Sequence, residues 1–115
     1  MIHTELDVWQ RSVRFVTKLY EETKGFPNYE LMGLAAQLRK AAISVPSNIA
    51  EGASRNGKKE YARFLRYSLS SAAEIETQLL IAINLKYLKS ETSLLNDLLI
   101  IKKQLINLIK SLERR

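Results

Sequence analysis

Cysteine is absent from the 115 residues, and with it disulfides, thiolate chemistry and every cysteine-based metal site. A reducing compartment is therefore the natural setting, and the cytoplasm is the expected location. The single histidine, His3, lies in a terminus expected to fray, which leaves no imidazole pair for general acid–base catalysis and none for a zinc site. Only two prolines and four glycines interrupt the chain, so long uninterrupted elements are expected. No apolar run approaches the ~18 residues of a membrane span. The segment from Met1 to Asp7 carries two acids and no apolar stretch, so it does not read as a signal peptide.

Hydrophobic residues make up 46% and charged residues 26%, enough apolar material for a core and too much for disorder. A chain of this length reads as one domain, residues 1–115, small enough to gain from association. Its charge is lopsided. Residues 1–54 hold six basic and six acidic side chains, whereas 55–115 hold twelve basic against six acidic, so the formal excess of +6 belongs to the second half.

Four helical patterns and no convincing strand follow from the spacing of apolar residues, which makes the expected fold all-α. In the first, Leu6, Trp9, Val13, Val16 and Tyr20 recur three and four apart, the stripe of a helix facing a bundle core, with Lys24-Gly25-Phe26-Pro27 as the stop. The second runs from about Asn28 to Gly52 through Leu31, Leu34, Leu38, Ala41 or Ala42, Val45 and Ile49. Pro46 interrupts it. Lacking an N–H, this proline requires a kink or a restart of the helix. The third, about Lys58 to Leu88, turns Tyr61, Phe64, Leu65, Ser68, Ala72, Ile75, Leu79, Ala82 and Ile83 inward, and its Ser68, Ser71, Ala72 and Ala73 are small enough for a neighbouring backbone to come close. The fourth starts after a cap at Ser90 and carries Leu94, Leu98, Ile101, Leu105, Leu108, Ile109 and Leu112. Short connections predict an antiparallel up-down-up-down four-helix bundle with a kinked second helix.

Two helices are apolar over too wide an arc. Val8, Phe15 and Leu19 flank the first stripe, and Leu95, Leu99 and Ile106 flank the fourth. Contiguous exposed apolar surface of that extent is uncommon on monomers, so these six residues are the candidate interface of a homo-oligomer. Scattered surface leucines and loop packing are the other way to account for them.

Several sets of residues in the sequence resemble those of a known family. They are Val8-Trp9-Gln10, Phe26-Pro27, Gly33-Leu34, the run from Gln37 to Gly52 with its Ser44-Val45-Pro46-Ser47-Asn48-Ile49-Ala50-Glu51-Gly52, Arg63-Phe64-Leu65 and Ser71-Ala72-Ala73-Glu74. Together they resemble the four-helix bundle proteins encoded by intervening sequences of bacterial 23S rRNA genes, also labelled S23 ribosomal protein and related to the accessory protein of diversity-generating retroelements. The likeness spans nearly the whole chain. It implies an antiparallel four-helix bundle assembled as a ring-shaped homopentamer and, for the retroelement relatives, binding of nucleic acid and of a reverse transcriptase. The word "ribosomal" reflects gene location.

No catalytic constellation is legible. Glu74 and Glu76, two apart on a helix, point to different faces, and the Glu-x-x-His signature of di-iron bundles is missing. Gly52-Ala53-Ser54-Arg55-Asn56-Gly57-Lys58-Lys59 imitates a phosphate-binding loop, but Lys59 stands where a Mg²⁺-binding hydroxyl is needed and no apolar strand precedes it. A non-enzymatic protein without cofactor or metal is therefore expected.

The basic residues carry the functional lead. In an up-down-up-down bundle the second connection and the C-terminus share one end, which gathers Arg55, Lys58, Lys59, Arg63, Arg66, Lys110, Arg114 and Arg115. Lys58 and Lys59 fall in the first turn of the third helix, where the macrodipole disfavours cations by ~0.3–1 kcal/mol each. Bound phosphate would offset that repulsion, so RNA or DNA is the favoured partner. A solvated basic face and an acidic protein partner remain open readings of the same charges, as does an adaptor that docks on a polymerase or reverse transcriptase without touching nucleic acid. Gln37, Ser44, Asn48 and Glu51, with Arg55, share one flank of the second helix and are expected to hydrogen-bond across helices or across a subunit boundary.

Overall fold

A computed structural model describes residues 2–114 and contains four α-helices and, among these residues, no strand. They are α1 (Asp7–Thr23), α2 (Leu34–Ala53), α3 (Lys58–Asn84) and α4 (Leu94–Glu113), with single 3-10 turns at His3–Glu5 and Asn28–Glu30. Each long helix packs on two others in the cyclic order α1, α2, α3, α4, and the backbones of the diagonal pairs stay more than 8 Å apart. One hydrophobic core joins all four. The molecule measures 47 × 23 × 20 Å, about the ~40 Å length of α3 plus its flanking turns.

Helix boundaries depart from the sequence reading where turn chemistry intervenes. α2 begins at Leu34, not Asn28, because Asn28–Glu30 wind into a 3-10 turn and Glu30 Oε1 accepts the Leu34 N–H at 3.2 Å, satisfying one free donor of the helix start. From there α2 runs to Ala53 through Pro46 without restarting. α3 stops at Asn84 rather than Leu88. Lys86 adopts φ 64°, its N–H bonds Ile83 O, and the Tyr87 N–H bonds Ala82 O, both at 2.9 Å. These two bonds form a Schellman closure, built on a lysine where glycine is the usual occupant. Ser90 does not cap α4: its hydroxyl donates to Glu91, and Thr92 Oγ1 instead accepts the Leu94 N–H at 3.3 Å. His3 does not dangle, since its ring stands edge-on to Trp9 at 5.2 Å.

The larger correction concerns the phase of α1. Val8, Phe15 and Leu19, expected on an outer flank, are buried in the core together with Ser12 and Thr23, while Val13 and Tyr20 of the expected inner stripe are exposed. Buried inside the subunit, those three residues do not present the exposed flank on which the expected interface rested. Leu6, Trp9 and Val16 are half-buried at the edge of the same core. In α4 the expected face is inward at Leu94, Leu98, Ile101, Leu105 and Ile109, and Leu108, Leu112 and Leu95 are half-buried. Leu99 and Ile106 remain 45% and 37% exposed.

α2 and α3 share the most extensive contact of any two helices, and small residues make it so. Ala41, Ala42, Ala62, Ser68 and Ala72 are buried on these two helices, Ser68 Oγ donates to Val45 O at 2.8 Å, and the Ser44 and Ser71 hydroxyls meet at 2.8 Å. Ala73, in contrast, faces solvent. At the last turn of α2 the approach is closest. A Cβ on Gly52 would stand 2.8 Å from Phe64 Cβ and 3.1 Å from Tyr61 O, so only glycine lets α3 lie there. The α1–α4 contact is made differently, by large aliphatic side chains in the core and polar links at the rim: Lys18 to Asp97 at 2.8 Å and Gln104 to Asp7 at 2.6 Å. The bond from Gln104 holds the Asp7 carboxyl below its ordinary range.

Candidate nucleic-acid interface

The close approach at Gly52 sets the geometry of the basic end. It brings the first two turns of α3 against the end of α2, so that Phe64, read from the sequence as a core residue, lies half-buried under arginine. The Arg55 guanidinium carbon sits 4.9 Å from the Phe64 ring centroid, and that of Arg63 sits 4.9 Å from the same centroid and 5.4 Å from the Tyr67 ring. Phe64 and Tyr67 meet edge to face at 5.4 Å with planes 83° apart. Cations placed over aromatic faces in this way are attracted by the ring quadrupole.

Carboxylates hold the same arginines in plane. Arg55 Nη2 donates to Glu51 at 2.7 Å, and Arg63 donates to Glu60 through Nε at 2.8 Å and Nη2 at 2.8 Å, with a further contact to the Tyr67 hydroxyl. The bonds from Arg63 hold the Glu60 carboxyl below its usual value and push the guanidinium above its own. Arg66 pairs with Glu113 across to α4. Glu51, Glu60 and Glu113 are thus each committed to an arginine.

Lys58 and Lys59 are exposed in the first turn of α3 and form no ion pair with any described residue. The same holds for Lys110 and Arg114, whereas Arg115 lies outside the described residues. Of the eight expected basic residues, the structure therefore divides those it describes into two groups: oriented arginines at 55, 63 and 66, and unpartnered cations at 58, 59, 110 and 114. Arg66 and Lys110 also flank an open groove of about 550 Å³ between α3 and α4, floored by Leu69, Ile106 and Ile109.

The expected polar flank of α2 resolves into three separate links. Asn48 Nδ2 donates to Ser44 O and Oγ, both at 2.9 Å, and Ser44 reaches Ser71 on α3. Gln37 accepts from Gln78 of α3 at 3.3 Å, and Glu51 is taken by Arg55, four residues on in the turn after α2. Sequence reasoning missed the Phe64–Tyr67 pair as part of the basic end. The signal that could have found it is the alternation of Arg55, Arg63 and Arg66 with Tyr61, Phe64 and Tyr67.

Among the described residues, no three His, Asp or Glu side chains gather as metal ligands, and no helix is long and apolar enough to cross a membrane. A sequence model of the family described as 23S rRNA-intervening sequence protein matches residues 4–107. No curated protein matches the sequence.

Proposed function

The chain belongs to the 23S rRNA-intervening sequence protein family, and from that premise we propose that it is a non-enzymatic, homo-oligomeric scaffold of the cytoplasm that binds RNA or DNA through its basic end. The observation that carries this reading is the charge at the start of α3. Lys58 and Lys59 stand at the positive pole of a helix of 27 residues and form no ion pair with any described carboxylate, an arrangement that costs stability and is repaid by a bound polyanion. The bundle is read as antiparallel, which the pairings of Asp7 with Gln104 and Lys18 with Asp97 support, as do those of Ser44 with Ser71 and Gln37 with Gln78. Bending of α2 at Pro46, which the proline's missing N–H calls for, and a pentameric ring, which the family resemblance implies, complete the reading. Leu99, Ile106 and the groove beside Ile106 supply apolar surface for contacts between copies.

Fluorescence anisotropy with labelled RNA and DNA over a range of salt tests it, alongside light scattering. Affinity should fall steeply with salt, each phosphate contact adding ~0.7–0.9 to the slope of log K against log salt. The triple variant Lys58→Gln, Lys59→Gln, Lys110→Gln should flatten that slope by about two to three, and the scattering mass should be several times 13.2 kDa. Equal binding by variant and wild type would move the site elsewhere. A monomer at micromolar concentration would remove the oligomer.

A further inference from the structure

We propose that the basic end selects unpaired nucleotides, stacking their bases on the surface formed by Arg55, Phe64, Arg63 and Tyr67 while Lys58 and Lys59 take the phosphates. This inference rests on the reading of the protein as a nucleic-acid binder and names the kind of nucleic acid.

The argument starts from how the arginines are used. A guanidinium recognises phosphate with its in-plane N–H fork. In Arg55 and Arg63 part of that fork is already taken by Glu51 and Glu60, at 2.7 and 2.8 Å, so these two residues are poorly placed as phosphate clamps. Their flat faces are their remaining asset. Both side chains are about half exposed, 49% and 51%, and each is fixed by a carboxylate in its plane and an aromatic ring against it. Tyr67, 43% exposed, extends the surface beyond Arg63. A partly open assembly of guanidinium and aromatic planes rewards a ligand that offers flat π-faces.

Only unpaired nucleotides do so. Bases in a duplex hide their faces in the stack and present phosphates at the surface, whereas single strands and loops splay bases onto aromatic rings and arginine planes. The cations needed to track the strand are at hand: Lys58 and Lys59 start the helix that carries Phe64 and Tyr67 and have no described acidic partner. Stacking is sequence-tolerant, so the preference is for strandedness rather than sequence.

Anisotropy with a labelled RNA 12-mer, its fully paired duplex and an abasic strand with the same number of phosphates tests this on the intact protein, with DNA counterparts run in parallel. The intact single strand should bind about tenfold more tightly than either control. Tyr67→Leu, at an exposed position that leaves the fold alone, should weaken single-strand binding about five- to hundredfold, the range of one lost stack, without changing the salt slope. Tyr67→Phe should restore it. Equal affinity for the intact and abasic strands, or an unaltered Tyr67→Leu variant, would overturn the stacking surface while leaving polyanion binding standing. Failure of wild-type protein to bind any of the probes at low salt would remove both.

Discussion

The two ends of the bundle are built on opposite plans. Where the turn after α1 meets the turn after α3, polar and aromatic groups cross between elements: Phe26 against Tyr87 at 5.3 Å, Tyr87 to Glu30 at 3.1 Å, Thr92 to Glu22 at 2.7 Å and Lys18 to Asp97 at 2.8 Å. Its hydrogen bond with the Tyr29 hydroxyl, burial and the bond it donates to Glu30 push the Tyr87 hydroxyl well above its ordinary range. At the basic end Glu60 pairs within its own helix and Glu51 with the turn that follows its helix, three or four residues away, whereas Glu113 reaches across to α3. Contacts that cross elements hold a tertiary structure together, whereas exposed pairs within one helix are worth a few tenths of a kcal/mol. The first end spends its side chains on the fold. The second leaves them available to a ligand.

The comparison breaks most visibly at Phe26. It is buried beside Tyr87 in the turn after α1, and Phe26→Ala should cost ~3–5 kcal/mol in chemical denaturation. A loss below 1 kcal/mol would mean that this end is no better tied than the other. Next comes the single place where the basic end is tightly built. Gly52→Ala adds one methyl but drives it into Phe64 Cβ and the Tyr61 carbonyl, so it should destabilise by ~1–3 kcal/mol and disturb the arginine stack with it. An alanine that stabilised the helix instead would show that α3 can back away. The smallest effect sharpens the contrast. Lys58→Gln with Lys59→Gln removes two cations from a positive helix pole and should raise stability by ~0.3–1 kcal/mol per residue while weakening nucleic-acid binding. A fall in the melting temperature would make these lysines structural.

What could be read before the structure differs between the two ends in an instructive way. The stop at Lys24-Gly25-Phe26-Pro27 was legible because glycine and proline act locally, and α1 ends at Thr23, just before it. The basic cluster was legible as composition. Its internal division was not, because whether an arginine is held by a carboxylate or left to solvent depends on rotamers and on the neighbouring helix. Phe64 was assigned inward on periodicity alone, since nothing in the spacing reveals that Gly52 brings two arginines over its ring.

The sequence by itself determined the number of helices, their class and most of their ends, because apolar periodicity and backbone breakers act over a few residues and need no partner. Only the tertiary structure decided which side of α1 is buried. When apolar residues occupy half of a helix, periodicity fixes the width of the arc but not its centre, and the neighbours α2 and α4 select Val8, Phe15 and Leu19 over Val13 and Tyr20. The same holds at the basic end. Whether Arg66 is free there is settled by where α4 places Glu113 beside it, a matter of packing that no spacing along the chain encodes.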